Sequence, residues 1–80
     1  MRAEIKPNLS EKNLILFIGL DSREYAEIKQ YFKPADIDFF SYFITKMKKE
    51  GYVDFEGDQA YLTKKGRELY YLYQLEEVTL

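Results

Sequence analysis

The sequence of 80 residues contains no cysteine and no histidine. Without cysteine, the chain has no disulfide framework and no thiolate metal site. Without imidazole or thiol groups, the commonest general bases, nucleophiles and metal ligands are missing, which leaves carboxylates, lysine and tyrosine for any chemistry. We therefore expect a protein that is not an enzyme and that holds no cofactor.

Long hydrophobic runs are missing as well. The longest, LILFIGL, spans seven residues from Leu14 to Leu20, whereas a membrane-spanning helix needs roughly 20. The N-terminal MRAEIKPN has no apolar segment that leads to a small-residue cleavage site, so we expect no secretory signal and a cytoplasmic location. The net charge of -2 gives no general attraction to nucleic acid, so any such attraction must come from local clusters.

What the chain does have is aromatic volume, in eight tyrosines and six phenylalanines. A domain this short buries only about 60% of the surface of its unfolded chain, so these rings must fill one compact core. Lysine, glutamate, tyrosine and isoleucine are plentiful, a composition typical of thermophile proteins. We predict a loose arm over residues 1–9 and one domain over residues 10–80.

Capping signals predict the first two helices. Ser10 is a suitable N-cap for a helix that ends at about Gly19. Asp21 and Glu24 have the spacing of a capping box and predict the start of a second helix, which Pro34 ends. The apolar stripe of this second helix consists of Tyr25, Ile28 and Phe32.

A third helix is predicted at about residues 36–50, with Asp36 as its N-cap and Gly51 as its left-handed C-cap. At about 100° per residue it has two distinct faces. The apolar face consists of Ile37, Phe40, Phe43, Ile44 and Met47. The outward face consists of Asp38, Ser41, Tyr42, Thr45, Lys46 and Lys49, with Phe39 at the margin.

Alternating residues predict a β-hairpin at about residues 52–62 that turns at Gly57-Asp58. Thr63 can cap a fourth helix at about residues 64–77, in which Gly66 allows close approach to the neighbouring elements. The predicted inner face of this helix is Gly66, Leu69, Leu72 and Tyr73. The expected fold is therefore mainly α with a small β-hairpin, in the order helix, helix, helix, strand, strand, helix.

This order is that of a helix-turn-helix extended by a wing. The segment MKKEGYVDFEGDQAYLTKKGRELY, from Met47 to Tyr70, resembles winged helix-turn-helix regulators of the MarR and PadR type, in a small archaeal- or viral-like single-domain form. In those families the return strand of the wing closes with YxLTxKGR, and AYLTKKGR is similar to that pattern. The resemblance implies a transcription regulator that binds double-stranded DNA as a homodimer, with its third helix in the major groove.

Hydroxyl and ammonium groups are suited to donate to phosphates and base edges. The candidate DNA contacts are Ser41, Tyr42, Thr45, Lys46 and Lys49 in the third helix, and Lys64, Lys65 and Arg67 at the start of the fourth. For the last three, a solvated first turn is the favoured interpretation and phosphate contact is the alternative. The acidic residues Asp54, Glu56 and Asp58 depart from the basic wing tip of the family and oppose wing contact with DNA.

Exposed aromatic residues suggest protein contacts. We predict that Tyr70, Tyr71 and Leu75, on the far face of the fourth helix, form a homodimer interface. The second interpretation is that the tyrosine rings lie on the surface with their hydroxyl groups in water. Phe39 and Tyr42 support an alternative function, a winged-helix protein-protein interaction module that does not bind DNA. The acidic segments DID and DFEGD lack the spacing of a calcium loop and are explained as a cap and a turn, so we expect no metal site.

Overall fold

The computed structural model describes residues 6–78, which form an α+β fold of four α-helices and one three-stranded antiparallel sheet. In chain order the elements are α1 (Glu11–Ile18), β1 (Arg23–Glu24), α2 (Tyr25–Tyr31), a 3-10 turn (Pro34–Asp36), α3 (Ile37–Lys49), β2 (Val53–Glu56), β3 (Gln59–Leu62) and α4 (Lys64–Val78). The predicted α+β class is confirmed. The predicted order of elements was incomplete, because it did not include the strand β1 between α1 and α2. Within residues 6–78 no helix has both the length and the apolar character to cross a bilayer.

The first helix begins and ends where the sequence predicts. The Ser10 hydroxyl accepts a hydrogen bond from the amide of Asn13 at 3.2 Å, as an N-cap does. Gly19 ends the helix with a positive φ of 64°, and its amide donates to the carbonyl of Ile15 at 3.0 Å. Glu11 lies in the first turn, where its charge is favourable against the positive end of the helix.

The second helix begins later than predicted. Glu24, rather than Asp21, holds its N-cap position, and it makes no side-chain cap hydrogen bond. Arg23 and Glu24 form β1, which pairs with Ala60 and Gln59 of β3. The capping-box prediction was wrong because a cap contributes only about 1 kcal/mol, and pairing with a strand far along the chain outweighs that local signal.

The start of α3 also differs in detail from the prediction. Asp36 holds the predicted N-cap position, but its side chain makes no cap hydrogen bond. Its carboxylate instead accepts a hydrogen bond from the amide of Leu9 at 3.0 Å. At the other end of α3, Glu50 holds the C-cap position and Gly51 follows it with a φ of 88°. The predicted left-handed conformation of Gly51 is therefore confirmed, one residue beyond the cap.

The described part of the N-terminal segment is attached to the domain. The ammonium of Lys6 donates to the carbonyl of Gln30 at 2.8 Å, and the carbonyl of Pro7 accepts from the amide of Lys33 at 3.0 Å. The sequence predicts a loose arm over residues 1–9. These contacts hold residues 6–9 against the end of α2, while residues 1–5 of the predicted arm lie outside the described residues.

The hairpin of β2 and β3 turns at Gly57 and Asp58, between the paired residues Glu56 and Gln59. Gly57 has a φ of 62°, which suits the first central position of a two-residue turn of type II′. The predicted hairpin is therefore confirmed. The strand order is β1-β3-β2, so β1 covers the free side of β3.

The core lies between the four helices and the inner face of the sheet. The predicted inner face of α3 is confirmed at Phe40, Ile44 and Met47, each at most 2% exposed. The Tyr25 ring meets that of Phe40 edge-on, with centroids 5.1 Å apart. The other buried apolar residues are Leu14, Ile15, Ile18, Ile28, Phe32, Val53, Ala60 and Leu62.

The inner face of α4 differs from the prediction at two positions. Gly66 is buried, and Leu69 and Tyr73 pack on the core as predicted. Leu72, predicted to point inward, is 56% exposed, and Tyr70 packs on the core in its place. The run YYLY is apolar all round and so sets no rotation by itself, whereas the close approach at Gly66 does.

One junction joins the end of α3 to the start of α4. The Thr63 hydroxyl accepts a hydrogen bond from the amide of Gly66 at 3.1 Å and donates one to the carbonyl of Gly51. The predicted cap is therefore confirmed. The Thr63 hydroxyl thus pairs with a free amide in the first turn of α4 and with a carbonyl just beyond the end of α3. These two hydrogen bonds set the position of α4 relative to α3.

Candidate nucleic-acid interface

The outward face of α3 is the main surface that the sequence predicts to contact DNA. Because Phe40 and Ile44 are buried on one side of the helix, the opposite side points to solvent. Tyr42 has the largest exposure of any large apolar side chain described, at 70%. All five predicted donors are exposed, and we call them the α3 outer face: Ser41, Tyr42, Thr45, Lys46 and Lys49.

Four residues of this face form a shallow groove. The groove has a volume of about 330 Å³ and is lined by Tyr42, Thr45, Lys46 and Lys49. Hydroxyl and ammonium groups donate to the phosphate and base-edge acceptors of DNA, and a ring can make apolar contact with a thymine methyl group. The α3 outer face therefore combines groups that are able to donate to phosphates with groups that are able to contact base edges.

Two lysines of α3 lie near carboxylates. Lys46 Nζ is 3.9 Å from Glu50 Oε2, and Lys48 Nζ is 3.4 Å from Asp54 Oδ1. Each of these side chains is at least 44% exposed, and exposed ion pairs contribute at most about 1 kcal/mol. A phosphate group can therefore replace the carboxylate at little cost in free energy.

Lys65 has a structural role that the sequence does not reveal. Its ammonium donates to the carbonyl of Glu50, just beyond the end of α3, at 2.8 Å. It also lies 4.6 Å from the centroid of the Tyr52 ring. A cation at this position is favourable against the negative end of α3 and against the face of the ring.

Arg67, like Lys65, contacts a backbone carbonyl of another element, whereas Lys64 is exposed to solvent. The Arg67 guanidinium donates to the carbonyl of Leu62 at 3.2 Å, at the end of β3. Lys64 is exposed in the first turn of α4. Lys65 and Arg67 thus support the end of α3 and the end of β3, and Lys64 stays closest to the predicted role of a phosphate contact.

The hairpin of β2 and β3, which the sequence predicts to be a wing and which we call the wing below, is acidic in the structure, as its sequence indicates. Asp54 accepts a hydrogen bond from the amide of Phe55 at 2.8 Å. This hydrogen bond, together with nearby Lys48, lowers the pKa of the Asp54 carboxyl below its ordinary value, although partial desolvation opposes the shift. Glu56 and Asp58 are exposed at the turn. The tip therefore presents negative charge.

A further carboxylate joins this region through strand pairing. Glu24 is exposed on β1 and pairs with Gln59, next to the wing turn. Sequence reasoning missed it because the wing sequence alone does not contain it. The register of β1 against β3 was the missing information.

Sequence reasoning also missed a group of lysines at the end of α2. Lys29 lies in the last turn of α2, and Lys33 follows the helix. Lys6 joins them because its ammonium contacts the carbonyl of Gln30. Lys29 and Lys33 were visible in the sequence as two lysines shortly before Pro34, whereas the position of Lys6 depends on the hydrogen bond from the Lys33 amide to the Pro7 carbonyl.

The outer surface of α4 carries exposed apolar side chains. Tyr71 is 57% exposed, Leu72 is 56% exposed and Leu75 is 62% exposed, and we call these three residues the α4 outer face. Of the predicted dimer residues, Tyr71 and Leu75 lie on it. Tyr70 does not, because its ring packs against the core.

The opposite side of α4 is attached to α1. The Tyr73 hydroxyl donates to the carboxylate of Glu11 at 3.2 Å. Burial, followed by the charge of Glu11, raises the pKa of the Tyr73 phenol above its ordinary value. Lys12 Nζ lies 3.8 Å from a Glu76 oxygen and 3.7 Å from a Glu77 oxygen. These contacts direct the α4 outer face away from the body of the domain.

Comparisons of the chain with protein-family models, with curated proteins and with solved structures found no match.

Proposed function

We propose that this protein is a winged helix-turn-helix DNA-binding protein that acts as a transcription regulator. The observation that carries the proposal is the α3 outer face, an exposed helix surface on which two lysines and three hydroxyl groups lie together. Two further features support it. A short turn joins α2 to α3, and the hairpin of β2 and β3 follows α3, as in a helix-turn-helix extended by a wing.

In the proposed complex, α3 enters the major groove and α2 crosses the backbone, as in other helix-turn-helix proteins. The hydroxyl groups of Ser41 and Thr45 then face base edges, and Lys46 and Lys49 contact phosphates. Lys29 and Lys33, at the end of α2, add positive charge toward the backbone. These lysines provide the local attraction that a chain of net charge -2 lacks overall.

The wing has a different role in this proposal from that of a basic wing. Glu24, Glu56 and Asp58 would meet the phosphates with like charge if the turn entered a groove. Since no lysine or arginine lies at the turn to compensate, we infer that the tip stays off the duplex. Binding then depends on α3 and the lysines of α2.

We also propose that the protein binds DNA as a homodimer through the α4 outer face. Tyr71, Leu72 and Leu75 form an exposed apolar surface that a second copy would cover. A two-fold dimer presents two copies of α3 to successive major grooves, which are about 34 to 36 Å apart on one side of the duplex. It also doubles the number of phosphate contacts.

The proposed function is tested by a fluorescence anisotropy titration with a mixed-sequence duplex at about 50 to 200 mM salt. We expect log affinity to fall linearly with log salt. Lys49→Ala should weaken binding and reduce the magnitude of the slope by about 1 for each protomer, about 2 for the homodimer, because each copy loses one phosphate contact. The matched control is Lys12→Ala, because Lys12 lies on α1 beside Glu76 and Glu77; affinity and slope should not change.

The second candidate function is a protein-interaction module, and one observation favours it. Phe39 is 65% exposed and Tyr42 is 70% exposed, so α3 presents two aromatic rings to solvent. Such rings are common anchors of protein interfaces. If no duplex binds at about 50 mM salt, where phosphate contacts are strongest, DNA binding is rejected and this second function takes its place.

A further inference from the structure

A cleft lies between the wing turn and the start of α2, apart from the α3 outer face. Its volume is about 440 Å³. The residues around it are of three kinds: two with aromatic rings, two with carboxylates and two small residues that leave space. The lining residues are Tyr25 and Phe55, Glu24 and Asp58, and Ala26 and Gly57.

Backbone hydrogen bonds hold the two walls of the cleft together. The amide of Tyr25 donates to the carbonyl of Asp58 at 2.8 Å. Beside this bond, Glu24 of β1 pairs with Gln59 of β3. Because the start of α2 and the wing turn are joined through main-chain groups, the cleft is preformed and a ligand need not order it.

The rings are held by the core. Tyr25 and Phe55 are half-buried, with centroids 6.4 Å apart and an interplanar angle of 51°. Tyr25 is also packed edge-on against buried Phe40. A Cβ at Gly57 would meet no atom within 4 Å, so the space beside the turn is open. The rings therefore present fixed apolar surface to whatever enters.

The charge of the cleft selects a cation. Glu24 and Asp58 are exposed at its edge, and no lysine or arginine is among the lining residues. An anionic ligand such as a phosphate would be repelled. A guanidinium group stacks on aromatic faces and donates paired hydrogen bonds to carboxylates, so it matches both kinds of wall at once.

We propose that this wing cleft binds an arginine side chain presented by a partner protein. The planar guanidinium lies against the rings of Tyr25 and Phe55 and donates to Glu24 and Asp58. The site is independent of DNA binding, because it shares no residue with the α3 outer face. The wing of this protein would then be a protein contact, whereas α3 is the DNA contact.

The test is a nitrogen-15 NMR titration of the full chain with a capped tripeptide that has arginine between two glycines. The comparison ligand is the same tripeptide with citrulline, which keeps the shape and removes the charge. We expect saturable shifts at the amides of Tyr25, Gly57 and Asp58, and an affinity for the arginine peptide at least about tenfold higher. Equal affinity for the citrulline peptide would overturn the proposal.

Substitution of the two carboxylates tests whether arginine binds in the cleft. Glu24→Gln combined with Asp58→Asn should weaken binding at least about tenfold. The matched control, Asp21→Asn combined with Glu68→Gln, makes the same change in charge outside the cleft and should bind as the parent does. Equal loss in both double variants would mean general charge attraction and would contradict the assignment.

A second variant tests the rings with the carboxylates intact. Phe55→Leu removes an aromatic wall and retains an apolar side chain, so it should also weaken arginine binding. The amide spectrum of each variant reports directly whether the chain is folded. Unchanged binding by folded Phe55→Leu would exclude stacking in the cleft and overturn the proposed arrangement.

Discussion

Gly66→Ala should destabilise the protein, although alanine is the better helix former. A Cβ at this position would overlap the carbonyl oxygen of Tyr52 and lie 3.2 Å from Cβ of Leu62. That carbonyl cannot easily move, because it accepts a hydrogen bond from the amide of Thr63 at 3.0 Å. The added methyl must therefore displace α4 from the sheet.

The magnitudes decide the sign of the effect. Alanine favours a helix over glycine by about 1 kcal/mol, whereas overpacking costs typically 1 to 3 kcal/mol and occasionally more. Since the collision is with backbone, we expect a cost of about 3 kcal/mol and a net loss of about 2 kcal/mol in the free energy of unfolding. In a domain of this size the midpoint of thermal unfolding should fall by roughly 8 to 16 °C.

Urea and thermal unfolding, followed by circular dichroism, measure this loss. The control is Glu68→Ala, which places alanine at an exposed position two residues along α4. Its free energy of unfolding should change by no more than about 0.5 kcal/mol. A Gly66→Ala protein as stable as the parent would contradict the packing of α4 against Tyr52.

Tyr71→Asp should convert the proposed dimer into a monomer. Tyr71 is 57% exposed on the α4 outer face beside Leu72 and Leu75. In a two-fold dimer each substitution is present twice, and a carboxylate in an apolar interface loses its hydration without gaining a partner. We expect the dimer to weaken by at least about 3 kcal/mol, which is more than 100-fold in the dissociation constant.

Sedimentation or light scattering over a range of concentrations gives the mass. The parent should approach twice the chain mass of 9.6 kDa, and the variant should stay near 9.6 kDa. The control is Phe39→Asp, because Phe39 is 65% exposed on α3, apart from the α4 outer face. If Phe39→Asp dissociates the dimer and Tyr71→Asp does not, the interface lies on α3.

Local signals in the sequence predict several features of this fold. Ser10 caps α1, Gly51 follows α3 in a left-handed conformation, and Gly57 opens the hairpin turn. Each depends on one residue and its near neighbours. The two faces of α3 are likewise predictable, because Phe40 and Ile44 repeat at helical spacing among polar residues.

Features that depend on distant contacts were not predictable in the same way. The strand β1 exists because Arg23 pairs with Ala60. Asp36 is diverted from capping by the amide of Leu9. The rotation of α4, which buries part of Tyr70 and exposes Leu72, is set by the contact between Gly66 and the Tyr52 backbone.

The residues of the candidate site differ in the same respect. Some are predictable from local spacing, and others depend on contacts between distant elements. The α3 outer face was predictable from periodicity, since exposure of Tyr42, Thr45 and Lys49 needs only helix geometry. The structural roles of Lys65 and Arg67 were not, because the carbonyls that they contact belong to other elements. Nor was the wing cleft, which exists only because Glu24 is brought beside Asp58.

The most direct test of DNA binding through α3 is a nitrogen-15 NMR titration of the protein with a mixed-sequence duplex at about 50 mM salt. We predict that the amides of Ser41, Tyr42 and Thr45 shift on binding, and that those of Gly57 and Asp58 at the acidic turn do not. Shifts confined to the wing turn, with the α3 amides unchanged, would contradict the account.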